Sequence, residues 1–125
     1  MNETRTHYTI RQIAELTGLS AYTLRYYEDI GLIDPVTRAP NGHRRYSEDD
    51  YGRIVMLGHL RLTGMSLDDM KLLIDLYRLG DESAGERLAL MQAHREKVQA
   101  QVDELCRVLE FIDYKINIYR EQDEA

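Results

Sequence analysis

The segment Thr9–Glu28, TIRQIAELTGLSAYTLRYYE, decides the fold, because it reads as two short helices joined by a glycine turn. Thr9 with Gln12 forms a capping pair that opens the first helix, and Ser20 opens the second. Gly18 interrupts the helical pattern between them. A helix, a short turn and a second helix form the layout that sets the second helix into the major groove of DNA. The segment predicts a helix-turn-helix, and a plain packing unit of two helices is the alternative.

The second of these helices carries polar aromatic and basic side chains on one face. With about 100° of rotation per residue, one side of the helix carries Tyr22, Arg25, Tyr26 and Asp29. Leu24 and Tyr27 fall on the opposite side, where they would face a core. Arginine binds guanine edges or phosphates, and tyrosine hydroxyls bind phosphate oxygens. The outward face therefore suits a DNA groove, and a half-buried aromatic cluster is the alternative.

A basic hairpin is predicted between the second helix and Ser47. Residues 31–46 contain both prolines of the chain and the pair Asn41-Gly42, which favours a tight reversal with positive φ. On a hairpin beside a helix-turn-helix, basic side chains would follow the DNA backbone as a wing. A solvated basic turn is the alternative. The nitrogen-bearing side chains around the reversal are Arg38, His43, Arg44 and Arg45.

Two further helices are expected before residue 80. Ser47 with Asp50 opens the third helix, and Ser66 with Asp69 opens the fourth, by the same capping chemistry. Glycines at positions 64 and 80 end them. The N-terminal part of the chain is therefore expected to be a small helical head with one hairpin.

Beyond Gly80 the apolar residues recur at alternating steps of four and three, which is a heptad seam. Arg95 is the one charged residue in it. A single helix cannot bury its own stripe, so we expect a second copy of the chain to cover it, with some other protein as the alternative. The seam consists of Ala84, Leu88, Met91, Arg95, Val98, Val102, Leu105, Leu109, Ile112, Ile116 and Tyr119.

The chain has 125 residues and a formal net charge of -6. This length allows one compact domain, or a small head with a long appendage, and excludes a large enzyme. The charge is unevenly distributed, because residues 1–46 contain six arginines and five acidic residues, whereas residues 81–125 contain six basic and eleven acidic residues. The acidity lies in the C-terminal part, so the head remains compatible with a nucleic-acid partner.

The sequence offers no catalytic or metal-binding set. It has no nucleophile with a placed base, no glycine-rich phosphate loop, and neither a cysteine pair nor a histidine pair at ligand spacing. We therefore expect no enzyme, no cofactor and no metal. The one cysteine, Cys106, permits no internal disulfide. The sequence also predicts neither a signal peptide nor a membrane-spanning segment. Together these features predict a cytoplasmic protein without a membrane partner.

Several short motifs follow one another in a characteristic order. They are Tyr8-Thr9-Ile10, Leu24-Arg25-Tyr26-Tyr27-Glu28, Gly31-Leu32-Ile33, Gly42-His43-Arg44-Arg45-Tyr46-Ser47, Leu60-Arg61 and Gly64-Met65-Ser66-Leu67. With the heptad helix after them, they resemble the MerR transcriptional regulators over essentially the whole chain. The resemblance implies a winged helix-turn-helix DNA-binding domain with a second helix pair at residues 1–79, a dimerisation helix at 80–121 and a short polar tail at 122–125.

The resemblance also implies a fold and a way of working. The expected fold is mainly α, with a small β-hairpin wing on the head and a long C-terminal helix that forms an antiparallel coiled-coil dimer. Such a homodimer reads a pseudo-palindromic promoter site in double-stranded DNA. On activation it bends and untwists the promoter so that RNA polymerase can engage it, with the energy of DNA deformation as the switch.

The resemblance assigns roles to individual residues. Arg25 and Tyr26 match the contacts of the recognition helix. The first wing is matched by Arg44, Arg45 and Tyr46, and Glu28 is expected to form a salt bridge with the wing. Further candidates for backbone contacts, each with a structural alternative, are Thr9, Arg11, Tyr22 and Arg61. The dimer interface would comprise Leu88, Met91, Val98, Val102, Leu105, Leu109, Ile112 and Ile116.

The residues of a sensor are missing from their usual places. Metal sensors of this family resemble each other in having cysteines near the start of the dimer helix and in a loop after it, and this chain has neither. Thiol sensors carry a cysteine in the third helix, where this chain has Gly58 and His59. Cys106 is the candidate for a redox role, with a structural thiol as the alternative. We therefore expect a DNA-binding regulator of transcription, either an activator or a repressor. A coiled-coil interaction module that has lost DNA binding is the alternative.

Overall fold

The structure is a computed structural model that describes residues 7–125. It confirms a mainly helical fold with one small hairpin and a long C-terminal helix. The chain forms two compact units, one ending at Ser83 and the other comprising Ala84–Ala125. Residues 1–6 of the predicted DNA-binding domain lie outside the described part. The elements are α1 (Ile10–Thr17), α2 (Ala21–Asp29), β1 (Thr37–Arg38), β2 (Arg44–Arg45), α3 (Glu48–Leu62), α4 (Leu67–Arg78), a 3-10 turn (Gly80–Ser83) and α5 (Ala84–Glu124).

The four short helices begin where the capping residues predict. The Thr9 hydroxyl accepts from the Gln12 amide at 3.1 Å, and the Gln12 side chain accepts from the Thr9 amide at 2.9 Å. Helix α3 has the same reciprocal arrangement at its N-terminus, and α2 and α4 are capped by serine hydroxyls. Because the caps bind amides that the first turn leaves unpaired, they fix where each helix starts.

The turn between α1 and α2 is made by Gly18, which has a φ of +76°. Its amide donates to the carbonyl of Ala14 at 2.9 Å, which ends α1. Leu19 then enters the core, together with Ile13 from α1 and Leu24 from α2. The positive φ of the glycine and the buried leucine after it set the direction in which α2 leaves the turn.

The hairpin pairs Thr37 with Arg45 and Arg38 with Arg44 in antiparallel register. Its turn is one residue longer than the two-residue reversal suggested by the pair Asn41-Gly42. The Ala39 amide donates to the His43 carbonyl and the Gly42 amide donates to the Ala39 carbonyl, each at 2.8 Å. Only the glycine has a positive φ, +85°, so Pro40, Asn41 and Gly42 form a three-residue loop with the glycine in the left-handed position.

Helices α3 and α4 complete the core of the first unit. Helix α1 packs on α2 and α3, and α3 packs on α4. The apolar residues at helical spacing in these helices are the ones that lose their exposure to solvent. Those from α3 are Ile54, Leu57 and Leu60, and those from α4 are Met70, Leu73, Ile74 and Leu76.

Helix α5 has 41 residues and is about 60 Å long. It begins four residues after the predicted start of the dimerisation segment, because Gly80–Ser83 form the 3-10 turn, and it extends three residues past the predicted end. Val98 is half-buried, whereas the other large apolar residues of the seam are exposed in the single chain. These are Leu88, Met91, Val102, Leu105, Leu109, Ile112, Ile116 and Tyr119.

None of the helices formed by residues 7–125 carries an apolar stretch long enough to cross a bilayer.

One substitution at two glycines is expected to have opposite effects. A Cβ at Gly18 or at Gly52 would meet no atom within 4 Å, but Gly18 has a φ of +76°, whereas Gly52 lies inside α3. Gly18→Ala should therefore lower the free energy of unfolding by about 1–2 kcal/mol. Gly52→Ala should raise it by about 0.5–1 kcal/mol, because alanine loses less backbone freedom in a helix. Urea unfolding measures both, and equal signs would contradict the assigned turn.

Candidate nucleic-acid interface

The outward face of α2 is open to solvent. Tyr22 is 78% exposed and Tyr26 is 41% exposed, and Arg25 lies between them on the same face. Leu24 and Tyr27 are buried on the opposite side. The helix therefore has the orientation that its sequence predicts, with two phenol rings and one guanidinium directed away from the core.

Glu28, at the end of α2, ties the hairpin to this helix. Its Oε1 accepts from the Nε of Arg44 at 2.8 Å, and its Oε2 accepts from the amide of Val36 at 3.2 Å. The side chains of Glu28 and Arg44 are only 15% and 18% exposed. The hydrogen bond to Glu28 raises the pKa of the Arg44 guanidinium above its ordinary value. The predicted salt bridge between Glu28 and the wing is confirmed. Together with the bond from the Val36 amide, it links the residue before β1 and the first residue of β2 to α2.

A shallow groove of about 330 Å³ opens between α1, α2 and the hairpin. It brings the predicted residues Thr9, Arg25 and Arg44 together, although they are far apart in the sequence. Arg38 also lines it and holds the turn closed, because its Nη1 donates to the carbonyl of Gly42 at 2.8 Å. The groove is cationic and has the chemistry needed for an anionic oxygen such as that of a phosphate.

Arg45 faces away from the groove. Successive side chains of a strand point to opposite sides, so the inward position of Arg44 directs Arg45 outward. The Arg45 side chain is exposed, and its Nη2 lies 3.3 Å from Nδ1 of His7. The hairpin therefore presents arginines on two sides, one bound to Glu28 and one directed to solvent.

Tyr46 is part of the core, with none of its surface exposed. Its hydroxyl has no hydrogen-bond partner among the described residues, and burial raises the pKa of its phenol. Its backbone pairs with that of Tyr8, with two hydrogen bonds of 2.8 Å. The side chain of Tyr46 is therefore a core residue, and its backbone, directly after β2, forms an isolated bridge with Tyr8.

The other candidate residues lie at different places on the head. The hydroxyl of Thr9 is engaged in the cap of α1, and Arg11 is exposed 3.9 Å from Glu15 on the same helix. Arg61 is exposed in the last turn of α3 and lines a second groove beside the α1–α2 turn. Burial raises the pKa of Tyr27, and the charge of Arg61 partly opposes this increase. The structure does not bring Arg61 into the groove that contains Arg25.

A cluster around Asp34 was not predicted from the sequence. Its carboxylate binds Arg53 of α3 and Arg78 of α4. These partners lie 19 and 44 residues away in the chain. No local pattern links such positions, so only the tertiary fold could identify them.

The described residues hold no group of three histidine, cysteine or acidic side chains arranged to bind a metal ion. Cys106 is exposed on α5. The redox role of Cys106 stays a prediction.

Comparison with known proteins identifies the family. Residues 8–76 match the family described as MerR HTH family regulatory protein, and residues 53–113 match the one described as MerR, DNA binding. The chain belongs to the MerR family. Among MerR-related proteins, an uncharacterized HTH-type transcriptional regulator of Haemophilus influenzae is 39% identical over 113 residues, covering 90% of this chain and 84% of that protein. The regulator YyaN of Bacillus subtilis is 34% identical over 124 residues, covering 90% of each.

Solved MerR structures have the same fold. The crystal structure of HiNmlR, a MerR family regulator lacking the sensor domain and bound to promoter DNA, has a TM-score of 0.86 and 38% identity, covering 92% of this chain and 87% of that one. A MerR family regulator of Bacillus thuringiensis has a TM-score of 0.77 and 31% identity, covering 89% and 97%. This chain is a DNA-binding transcriptional regulator of the MerR type.

Removal of the Glu28 charge should destabilise the head of this MerR protein. Glu28→Gln keeps the shape of the side chain but cannot satisfy both the Val36 amide and Arg44, so we expect a loss of about 1–3 kcal/mol in unfolding free energy. The matched control is Glu15→Gln, because Glu15 is 70% exposed beside Arg11, and should change stability by less than about 0.5 kcal/mol. Urea unfolding compares the two, and equal losses would show that Glu28 is not an anchor.

Proposed function

We propose that this chain acts as a homodimer on a pseudo-palindromic promoter site and regulates transcription by distorting the promoter DNA. The observation that carries the proposal is the exposed face of α2 beside a hairpin that Glu28 fixes in place. The exposed face of α2 would fit a major groove of DNA, and the basic hairpin beside it would contact the adjacent phosphate backbone. RNA polymerase would be the further partner on the distorted promoter, and the chain itself would carry out no enzymatic step.

The exposed residues of α2 would contact both the base edges and the backbone of the DNA. Arg25 would bind a guanine edge or a phosphate, and the hydroxyls of Tyr22 and Tyr26 would bind phosphate oxygens. Arg45 would bind the backbone from the outer side of the hairpin, where its guanidinium meets solvent. Arg38, on the groove side, is a further candidate for a phosphate contact.

The remaining candidates divide between contact and support. Arg44 would act mainly by holding the hairpin through Glu28, because its side chain is largely buried. Tyr46 would support the hairpin from the core, since its hydroxyl is not accessible. Thr9, as the cap of α1, would help to direct the amides at the start of that helix towards the groove. Arg11 and Arg61 would contact the backbone farther from the recognition helix.

The dimer would be formed by α5. Its heptad seam leaves eight large apolar side chains exposed in the single chain, and a partner helix is the simplest means of covering a stripe of this length. A two-fold dimer would place two recognition helices on one DNA site. Distortion of the DNA between the two half-sites would then store the energy that controls transcription.

DNA binding should depend on the arginines of α2 and the hairpin. With a duplex of the promoter region upstream of the gene, Arg25→Ala should cost about 1–3 kcal/mol of binding free energy. Arg45→Ala should weaken binding to all sequences and reduce the salt slope by about 1. Tyr46→Phe should leave the affinity unchanged, because the hydroxyl lies in the core. Fluorescence anisotropy over a salt series measures all three.

The control for charge is Arg120→Ala, which removes an exposed arginine near the end of α5 and should not alter the salt slope by as much as Arg45→Ala. If the wild-type chain ignored duplex DNA at every salt concentration, the proposed function would be wrong. If Arg120→Ala weakened binding as much as Arg25→Ala, the contact would depend on overall charge and not on the face of α2.

Dimerisation should depend on the seam of α5. Leu109→Glu places a charge in the seam, and we expect it to shift the chain from dimer to monomer at micromolar concentration. Ala100→Glu adds the same side chain two residues past Val98, outside the seam, and should leave the dimer intact. Sedimentation equilibrium measures both variants. A wild-type chain that sediments as a monomer, or equal behaviour of the two variants, would contradict the assigned interface.

A further inference from the structure

Asp34 lies in the segment that connects the recognition helix α2 to the hairpin. Gly31, with a φ of +84°, turns the chain after α2, and Leu32 and Ile33 are buried immediately before the aspartate. This packing leaves little freedom in the backbone at Asp34. The side chain itself is 59% exposed and projects towards two arginines from other helices.

Both carboxylate oxygens of Asp34 are bound by arginines. Oδ1 accepts from Nη2 of Arg78 at 2.8 Å, and Oδ2 accepts from Nη1 of Arg53 at 3.2 Å. The same Nη2 of Arg78 donates to the carbonyl of Gly31 at 2.8 Å. The Arg53 guanidinium lies over the ring of Tyr77, 5.1 Å from its centroid. We call Asp34, Arg53 and Arg78 the three-residue clamp, and it joins the end of α2 to α3 and α4.

The clamp holds the aspartate in its charged form. The hydrogen bond from Arg78 is the main cause that lowers the pKa of Asp34, and the charge of Arg53 acts in the same direction. Arg78 has a second carboxylate nearby, that of Asp75 on its own helix, with an Nη1 to Oδ1 distance of 3.6 Å. Asp75 therefore contacts the same arginine without connecting two elements.

Arg78 is the last residue of α4, and the turn after it is tightly closed. The hydroxyl of Ser83, which is buried, donates to the carbonyls of Leu76 and Gly80, the latter at 2.8 Å. The Leu76 carbonyl also accepts from the amide of Leu79 at 3.0 Å, so side-chain and backbone hydrogen bonds together close the turn. Along the chain, this hydrogen-bonded turn is followed directly by α5.

We propose that Asp34 is a positioning residue, which fixes the direction of the last turn of α4 relative to the recognition helix and thereby sets the half-site spacing that the dimer accepts. This inference rests on the proposed function, since it requires a homodimer on a two-part site. In such a dimer, the distance between the recognition helices is a geometric property of each head and its connection to the dimer helix. An ion pair with this exposure contributes little to stability, so its loss should leave the head folded.

The test compares affinity for the optimal site with affinity for altered spacings. A duplex selected by the wild-type chain from a random pool is the probe, together with versions in which one or two base pairs are inserted or removed between the half-sites. We expect the wild-type chain to lose about tenfold or more in affinity for each altered spacing. Asp34→Asn should keep affinity for the selected duplex within about threefold, and its discrimination between spacings should fall to about threefold.

Two variants serve as controls. Asp75→Asn removes a carboxylate from the same arginine but leaves the link between elements intact, and should discriminate between spacings as the wild-type chain does. Asp34→Glu restores the charge and should recover at least part of the discrimination. Thermal unfolding of each variant, followed by circular dichroism, checks folding. Should Asp34→Asn prove unfolded, Arg78→Lys takes its place, because a single ammonium cannot reproduce the planar geometry of the clamp.

Equal discrimination by wild type, Asp34→Asn and Arg78→Lys would overturn the inference, as would an equal loss in Asp75→Asn. Failure of the proposed function gives a different result, because the wild-type chain would then select no duplex, or would bind as a monomer without preference for spacing. The two failures are therefore distinguishable in one set of titrations.

Discussion

The position of the proposed DNA-binding surface depends on one carboxylate, that of Glu28. It lies one turn after Arg25 on α2, and it binds the amide of Val36 and the guanidinium of Arg44 at the same time. These partners precede and follow the turn of the hairpin, so one side chain holds the residue before β1 and the first residue of β2. A partly buried ion pair is costly to break, because removal of one partner leaves the other charge without compensation. The hairpin and α2 therefore form one preformed body, which would need less ordering if DNA binds there as proposed.

The same arrangement explains how a chain with a net charge of -6 presents a cationic surface. Two acidic residues of the head are bound to arginines, since Glu28 pairs with Arg44, and Asp34 pairs with Arg53 and Arg78. The remaining acidity is concentrated in residues 81–125, which form the end of the head and α5. The net charge of the chain therefore does not identify its binding partner. The distribution of charge over the surface determines where a phosphate is attracted.

Local signals in the sequence predicted the helices, their caps and the basic hairpin, because these depend on residues within a few positions of one another. Contacts between distant segments were not predictable, and the pairing of Tyr8 with Tyr46 and the clamp on Asp34 are examples. Tyr46 shows a further reason. The family resemblance placed Tyr46 with Arg44 and Arg45 in the first wing. Side chains alternate along an extended strand, however, so residues 44 and 46 face inward and residue 45 faces outward. That period of two was readable, and it favours a supporting role for Tyr46.

Backbone hydrogen exchange on the DNA-free protein tests most directly whether the hairpin is preformed. The amides of Val36 and Ala39 are the ones to follow, since the first donates to Glu28 and the second closes the hairpin turn. If Glu28 anchors the hairpin as described, both amides should be protected without DNA to a degree comparable with amides in the middle of α2. Rapid exchange of both amides in the free protein, with protection only after a duplex is added, would mean that DNA assembles the hairpin and that Glu28 does not determine its place.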